Sequence, residues 1–204
     1  PNLAAYARAH DAATIAAAIR QGIGASGRGL VSMPSFNFTR LSDSDIAALI
    51  AFLRSAPVVE TELPHPRLGW VARLDLALGR ETSYERWVAR VPELRIDAEN
   101  QPERARGEYL GMTMCNECHG LDLRGQRSGG FQTPDLALVG AIERSEFERI
   151  IRTGRGFGGR HLGIMSLVAP DRYPALKDVD VDALYLHLSS LLGEPVPQDV
   201  AWRE

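Results

Sequence analysis

Cys115 and Cys118 are the only cysteines in the chain, three residues apart, and His119 follows directly. On a helix, residues i and i+3 share a face, so both thiols point one way and the imidazole sits beside them. C-x-x-C-H is the arrangement of a covalent c-type haem attachment site. Each thiol forms a thioether with a vinyl group on one porphyrin edge, and the histidine meets the iron as proximal ligand. Two rival chemistries fit less well. Thiol–disulfide exchange wants a low-pKa thiolate at a helix start in a βαβ setting, whereas 103–114 reads as helix and no strands flank the motif. Structural zinc takes four ligands, and there is neither a second cysteine pair nor an H-x-x-x-H.

A low-spin c-type iron takes a sixth ligand, usually Met or a second His, from a separate segment. Met112 and Met114 belong to the proximal helix and do not reach the opposite face. Met165, 46 residues beyond His119 in a Gly-rich loop, does. His161 in the same loop is the alternative. A lone methionine is ordinarily core filler, but a second copy of its setting, described below, places Met33 at the corresponding point. Around Met165 the run 154–160, GRGFGGR, is not a P-loop, since it lacks G-x-x-x-x-G-K-[ST] and follows a helix. It reads instead as a loop passing close to a flat cofactor, with Arg155 and Arg160 available to pair with propionates. Leu136, Leu138, Ile142, Phe147, Ile150, Leu162 and Leu167 are the expected apolar wall. His10, His65 and His187 read as surface or core groups.

The elements that must hold these residues are helices, because apolar spacing at i, i+3, i+4 recurs and strand signals are scarce. Asp11 caps a helix running through Arg20 to Gly22. Ser42 to Asp45 opens a helix carrying Ile46, Leu49, Ile50 and Leu53, stopped by Pro57. Ser145 to Glu148 reads as a capping box for a helix ending at Gly154. A last helix covers about 180–192, with Leu184, His187, Leu188 and Leu191 inward.

These segments expose an internal repeat. Pro1-Asn2-Leu3 matches Pro134-Asp135-Leu136. Ile19-Arg20-Gln21-Gly22 matches Ile151-Arg152-Thr153-Gly154, and at the same offset of 132 residues Met33 falls on Met165. After a three-residue insertion, Asp45-Ile46 through Leu49 to Leu53 aligns with Asp180-Val181 through Leu184 to Leu188. The expected fold class is therefore mainly α, two helical domains in tandem, the first incomplete. Residues 1–56 form the latter part of the first domain, 57–101 a packed linker, 102–194 a complete domain and 195–204 a tail. Short helices are expected near 68–78 and 84–90, with Trp70 and Trp87 packed away from water.

The residues 105–110, the motif 115–120, Thr133-Pro134-Asp135-Leu136, 151–155, Met165 and the closing helix together resemble the class I cytochromes c in their tandem, multihaem periplasmic form. The likeness covers about 104–192, and 2–57, with Met33-Pro34, looks like the latter two-thirds of another such domain. Its ending is similar to cytochrome subunits that accept electrons from membrane-associated dehydrogenases. The resemblance implies thioethers at Cys115 and Cys118, His119 as proximal and Met165 as distal ligand, and Met33 as distal ligand of a first haem. Met165 departs from the family in being followed by Ser166 where Pro is common. If the first copy keeps the same interval, its own C-x-x-C-H ends about thirteen positions before Pro1. One haem c is then expected at Cys115 and Cys118, and a second where that upstream motif is present.

Composition narrows the function further. Apolar residues at 45% and charged residues at 24% of 204 fit a globular chain. A net charge of −3 with no Lys/Arg run argues against nucleic acid. The longest apolar stretch, Ile46 to Leu53, is eight residues, far short of the roughly twenty that span a bilayer. The expected function is one-electron transfer between redox protein partners, a dehydrogenase or membrane complex and a downstream acceptor. The expected location is the periplasm or the outer face of the cytoplasmic membrane. The alternatives are a haem enzyme, such as a peroxidase or sulfur-compound oxidase, and a structural subunit of a redox complex.

Overall fold

A computed structural model describes residues 2–30, 33–59, 69–78, 85–128 and 131–196. The chain divides into two compact units, Pro1–Val91 and Pro92–Glu204. His65 and the last eight residues lie outside the described residues.

In the first unit, α1 (Leu3–Ala9), α2 (Ala12–Gln21) and α3 (Asp43–Ser55) pack around Ala7, Ile15, Ile46 and Ile50. Each start follows from its cap. The side chains of Asn2, Asp11 and Ser42 accept from the backbone N–H three residues on, satisfying donors that the helix itself cannot. Gly22 ends α2 at φ 69°, a left-handed conformation that glycine adopts without steric cost. Arg54 Nε donates to the Ala7 carbonyl at 3.0 Å and Arg8 Nε to the Arg54 carbonyl at 3.2 Å, which ties α3 to α1 in both directions. Two short helices follow, α4 (Trp70–Ala77) and α5 (Glu85–Val88), where the sequence predicts them. Trp87 is half-buried with its ring centroid 6.4 Å from that of Phe36. Trp70 differs from expectation. It is 77% exposed, because no described residue of its short helix turns it onto a core.

In the second unit, α6 (Pro102–Met114) runs into α7 (Asn116–His119). An antiparallel pair follows, β1 (Gln126–Ser128) with β2 (Phe131–Thr133), then a 3₁₀ stretch over Leu136–Ala141. The remaining helices are α8 (Arg144–Thr153), α9 (Met165–Arg172) and α10 (Asp178–Ser190). The core lies where α6 crosses α10, with Leu110, Met112, Val181, Leu184 and Leu188 all buried. Each such side chain is worth about 1.5–3 kcal/mol relative to exposure. Gly107 sets the closeness of that crossing, since a Cβ there would stand 1.9 Å from the Ala183 carbonyl oxygen. The Glu108 carboxylate accepts from the backbone N–H groups of Arg95 and Ile96 at 2.9 Å, pinning the entering chain to α6.

α8 begins two residues earlier than the capping box implies. Glu143, not Ser145, takes the extended cap conformation (φ −69°, ψ 147°), without a side-chain cap bond. Arg144 pairs with Glu148 and Asp182 and thereby holds the first turn.

The two units repeat one another in detail. Gly24 N–H donates to the Arg28 carbonyl and Gly27 N–H to that of Gly24, and 132 residues on, Gly156 donates to Arg160 and Gly159 to Gly156. An isolated bridge joins Ile23 to Gly29, and another joins Arg155 to His161. Arg20 reaches Asp43 at 2.7 Å and the Leu41 carbonyl, while Arg152 reaches Asp178 at 2.6 Å and the Leu176 carbonyl at 3.1 Å.

Candidate functional site

The single turn α7 carries the C-x-x-C-H motif. The Cys118 and His119 N–H groups both donate to the Cys115 carbonyl, at 3.3 and 2.9 Å, so Cys115, Cys118 and His119 are presented together at the end of α6. Both cysteines are free thiols and half-buried. Burial, with Cys118 adding, pushes the Cys115 thiol up to about 12, and burial also raises Cys118. Thiols held neutral make poor redox nucleophiles, so the site is unlike that of a thiol–disulfide exchanger.

His119 is oriented by a bond that sequence reasoning missed. Its Nδ1 lies 2.9 Å from the Pro134 carbonyl oxygen. A carbonyl only accepts, so Nδ1 carries the proton and Nε2 keeps its lone pair. Burial holds the imidazole below its ordinary pKa, which the Pro134 bond partly offsets; the ring is therefore neutral and ready to bind a metal. Pro134 is brought there by a strained bend. Leu123 is the one non-glycine with positive φ (64°) among the described residues, it is 1% exposed, and its carbonyl accepts from Leu136 N–H at 2.9 Å. Gly125 N–H donates to the His119 carbonyl at 2.7 Å and closes the same bend. Such strain persists only where the surroundings fix it.

Met165 does not lie within the Gly-rich loop but opens α9 immediately after it, half-buried. Gly154 (φ 64°) packs against it so tightly that a Cβ would stand 2.6 Å from the Met165 carbonyl oxygen. Ser166 explains its own departure from proline. Its hydroxyl accepts from Leu162 N–H at 2.7 Å and donates to the Gly154 carbonyl, so it closes the loop. At the far end of α9, Tyr173 donates to the Met114 carbonyl at 3.2 Å and Arg172 reaches Glu117 at 3.5 Å, which anchors the helix beside the motif. His161 is poorly disposed as a ligand. Its Nδ1 accepts from Gly163 N–H at 3.1 Å, so in the neutral ring Nε2 carries the proton and no lone pair remains.

Arg155 and Arg160 are exposed and have no carboxylate partner among the described residues. Of the expected wall, only Phe147 is fully buried; Leu138 is 43% and Leu167 67% exposed, and Phe157 and Ile164 are exposed too. Two thiols and an imidazole with a free lone pair on one turn, with exposed apolar side chains elsewhere in the unit, are compatible with a large, flat, apolar group. Met33, in the first unit, is half-buried before Pro34.

Residues 104–192 match the cytochrome c family. This stretch is similar to a cytochrome c domain. The family implies covalently bound haem c, and the two thiols, the free Nε2 and the exposed apolar side chains fit that group. Three relatives extend the comparison. A nicotinate dehydrogenase subunit of Pseudomonas putida is 29% identical over 201 residues, 87% of this chain and 16% of that protein. The fructose dehydrogenase cytochrome subunit of Gluconobacter japonicus is 24% identical over 199 residues, 85% of this chain and 40% of its own. The cytochrome c subunit of the quinone alcohol dehydrogenase of Gluconobacter oxydans is 36% identical over 110 residues, 50% and 22% of the two chains. The chain thus spans less than half the length of each relative, and two of these likenesses extend beyond the cytochrome c domain into the first unit. Among the described residues no helix is long and apolar enough to cross a membrane.

Proposed function

We propose that this chain is an electron-carrying part of a dehydrogenase complex, passing single electrons from the substrate-oxidising partner to a downstream acceptor. When bound, haem c supplies the one-electron iron couple. Cys115 and Cys118 would hold it covalently, His119, through Nε2, and Met165 would ligate the iron, and Arg155 and Arg160 would pair with its propionates. The observation that carries this reading is the His119–Pro134 bond, which leaves the one nitrogen that an iron needs. His/Met ligation raises the potential relative to two histidines, as suits a carrier. The relatives named as dehydrogenase subunits support the choice of partner. Haem c is attached outside the cytoplasm, so the periplasmic side is the proposed location.

The repeated loops, bridges and arginine clamps support a tandem protein, with residues 1–56 as the latter part of a first cytochrome c domain, 57–101 as linker and 102–194 as the second domain. Met33 then ligates a first haem, whose attachment motif precedes Pro1 in the natural polypeptide. Intact mass of the protein expressed from its natural start tests the count: two haems are expected, and one overturns the tandem reading. The ligation is tested by the oxidised spectrum. A weak far-red Met–iron band is expected, lost in Met165→Ala and kept in His161→Ala. A high-spin spectrum in the unsubstituted protein contradicts the carrier.

A further inference from the structure

Arg124 sits inside the bend that returns Pro134 to His119, between the strained Leu123 and Gly125, whose N–H holds the His119 carbonyl. Its side chain is 4% exposed, and a charge buried that deeply must be paired. The two arms of the guanidinium take two partners. Nη1 donates to the Asp135 carboxylate at 3.3 Å, and Nη2 donates to the Glu194 carbonyl. Asp135 follows Pro134 directly, and its Oδ1 also accepts from Ala137 N–H at 2.8 Å, which starts the 3₁₀ stretch. Glu194 follows the turn that ends α10, and its carboxylate takes Arg104 of α6 at 3.2 Å. Since α6 runs into the C-x-x-C-H turn, these contacts close a ring from α6 through His119 and the bend to Arg124, and back through Glu194 to α6.

The first unit fastens the corresponding point without an arginine. Asn2 corresponds to Asp135 in the repeat, and Val59 stands 135 residues before Glu194, as Asp45 stands before Asp180. Asn2 Oδ1 accepts from Ala5 N–H at 3.0 Å while its Nδ2 donates to the Val59 carbonyl at 2.8 Å. One amide therefore caps the following helix and holds the carbonyl. An ionised carboxylate has no hydrogen to give, so in the second unit Asp135 caps and Arg124 supplies the donor. We infer that Arg124 is a positioning residue of the candidate haem site, bridging Asp135 to the Glu194 carbonyl so that the Pro134 carbonyl stays on His119 Nδ1; its bearing on electron transfer rests on the proposed function. Without the fork, Asp135 and the Glu194 carbonyl lose their shared partner. The strain at Leu123 then has a way out, as residues 123–125 part from 133–135 and the imidazole proton meets water.

The test is the exchange rate of the His119 Nδ1 proton in reduced, haem-loaded protein with isotope-labelled histidine nitrogens, measured beside the haem content. Arg124→Met, which keeps the stem and removes the fork, is expected to quicken that exchange about ten-fold. Adding Asp135→Asn, which copies Asn2, supplies an amide donor for the Glu194 carbonyl and is expected to return the rate to within about three-fold of the unsubstituted protein. A folded Arg124→Met variant with a lower denaturation midpoint but unchanged proton exchange assigns the arginine to stability alone and overturns the proposal. Quickened exchange that Asp135→Asn fails to slow overturns it too. If Arg124→Met does not accumulate, Asp135→Ser keeps a capping hydroxyl but is too short to reach the guanidinium. Quicker exchange is again expected, and an unchanged rate overturns the proposal. Unsubstituted polypeptide without covalent haem overturns the electron-carrier reading instead, and the same Nδ1 comparison in the haem-free chain then decides the role of Arg124.

Discussion

The His119 imidazole is fixed to the Pro134 carbonyl at 2.9 Å, fifteen residues away along the chain, and this one bond decides which ring nitrogen keeps a free lone pair. Outer hydrogen bonds of this kind orient a ligand and raise its basicity. The bend that carries Pro134 to His119 is thus part of the candidate site.

Gly125 is the point at which to perturb that bend. It has φ 85°, and a Cβ would stand 2.7 Å from the Thr133 carbonyl oxygen. Gly125→Ala is expected to cost about 2 kcal/mol or more by denaturant unfolding. A weaker Pro134 bond makes the imidazole less basic and the ferric state less favoured, so the midpoint potential is expected to rise. An unchanged potential in a folded, destabilised variant means that the bond does not tune the iron.

Ser166→Ala removes the hydroxyl that closes the loop onto Leu162 and Gly154. The stranded groups are expected to cost about 1–3 kcal/mol. Amide exchange over 154–166 should quicken before that of α10, and the far-red Met–iron band should weaken on mild warming. Uniform exchange across both segments contradicts the local role of Ser166.

Gly107→Ala forces a methyl to within 1.9 Å of the Ala183 carbonyl unless the helices part. Overpacking of this kind is expected to cost about 1–3 kcal/mol, read as a lower denaturation midpoint. A wild-type midpoint means that α6 and α10 separate without cost.

His187 gives the fold a pH dependence. It is 5% exposed, and its Nδ1 has no hydrogen-bond partner. Burial holds its pKa below the ordinary 6.5; Glu108 and Glu194 pull it upward and Arg104 pushes it down. The unfolded chain therefore takes up a proton at higher pH than the native one, so stability is full above about pH 6.5 and falls as the solution is acidified below it. His187→Phe, which copies the residue at the equivalent position of α3, is expected to flatten the fall in melting temperature toward about pH 5. An unchanged slope assigns the effect to other groups.

Much of this was legible in the sequence, because the chemistry is written in short-range patterns. The caps at Asp11 and Ser42, the left-handed Gly22 and Gly154, and the C-x-x-C-H turn each depend on neighbours within four residues. The repeat was legible for the same reason, and its loop bonds follow from glycines at the same offset. What escaped depends on distant partners. β1 and β2 are short and polar, so no alternation announces them. The Pro134 carbonyl is a backbone atom whose role depends on where the chain returns. Leu138 and Leu167, expected as wall residues, are exposed among the described residues, and apolar character alone does not say whether a side chain is covered. Ser166 did leave a signal, a hydroxyl where the family commonly has proline, with two backbone groups for it to satisfy.

The most direct measurement is the absorption of the purified protein after denaturation and acid–acetone extraction. The colour is expected to stay with the polypeptide, with a c-type pyridine haemochrome spectrum and with Cys115 and Cys118 closed to alkylation. Colour passing into the acetone, with both thiols open to alkylation, contradicts the account.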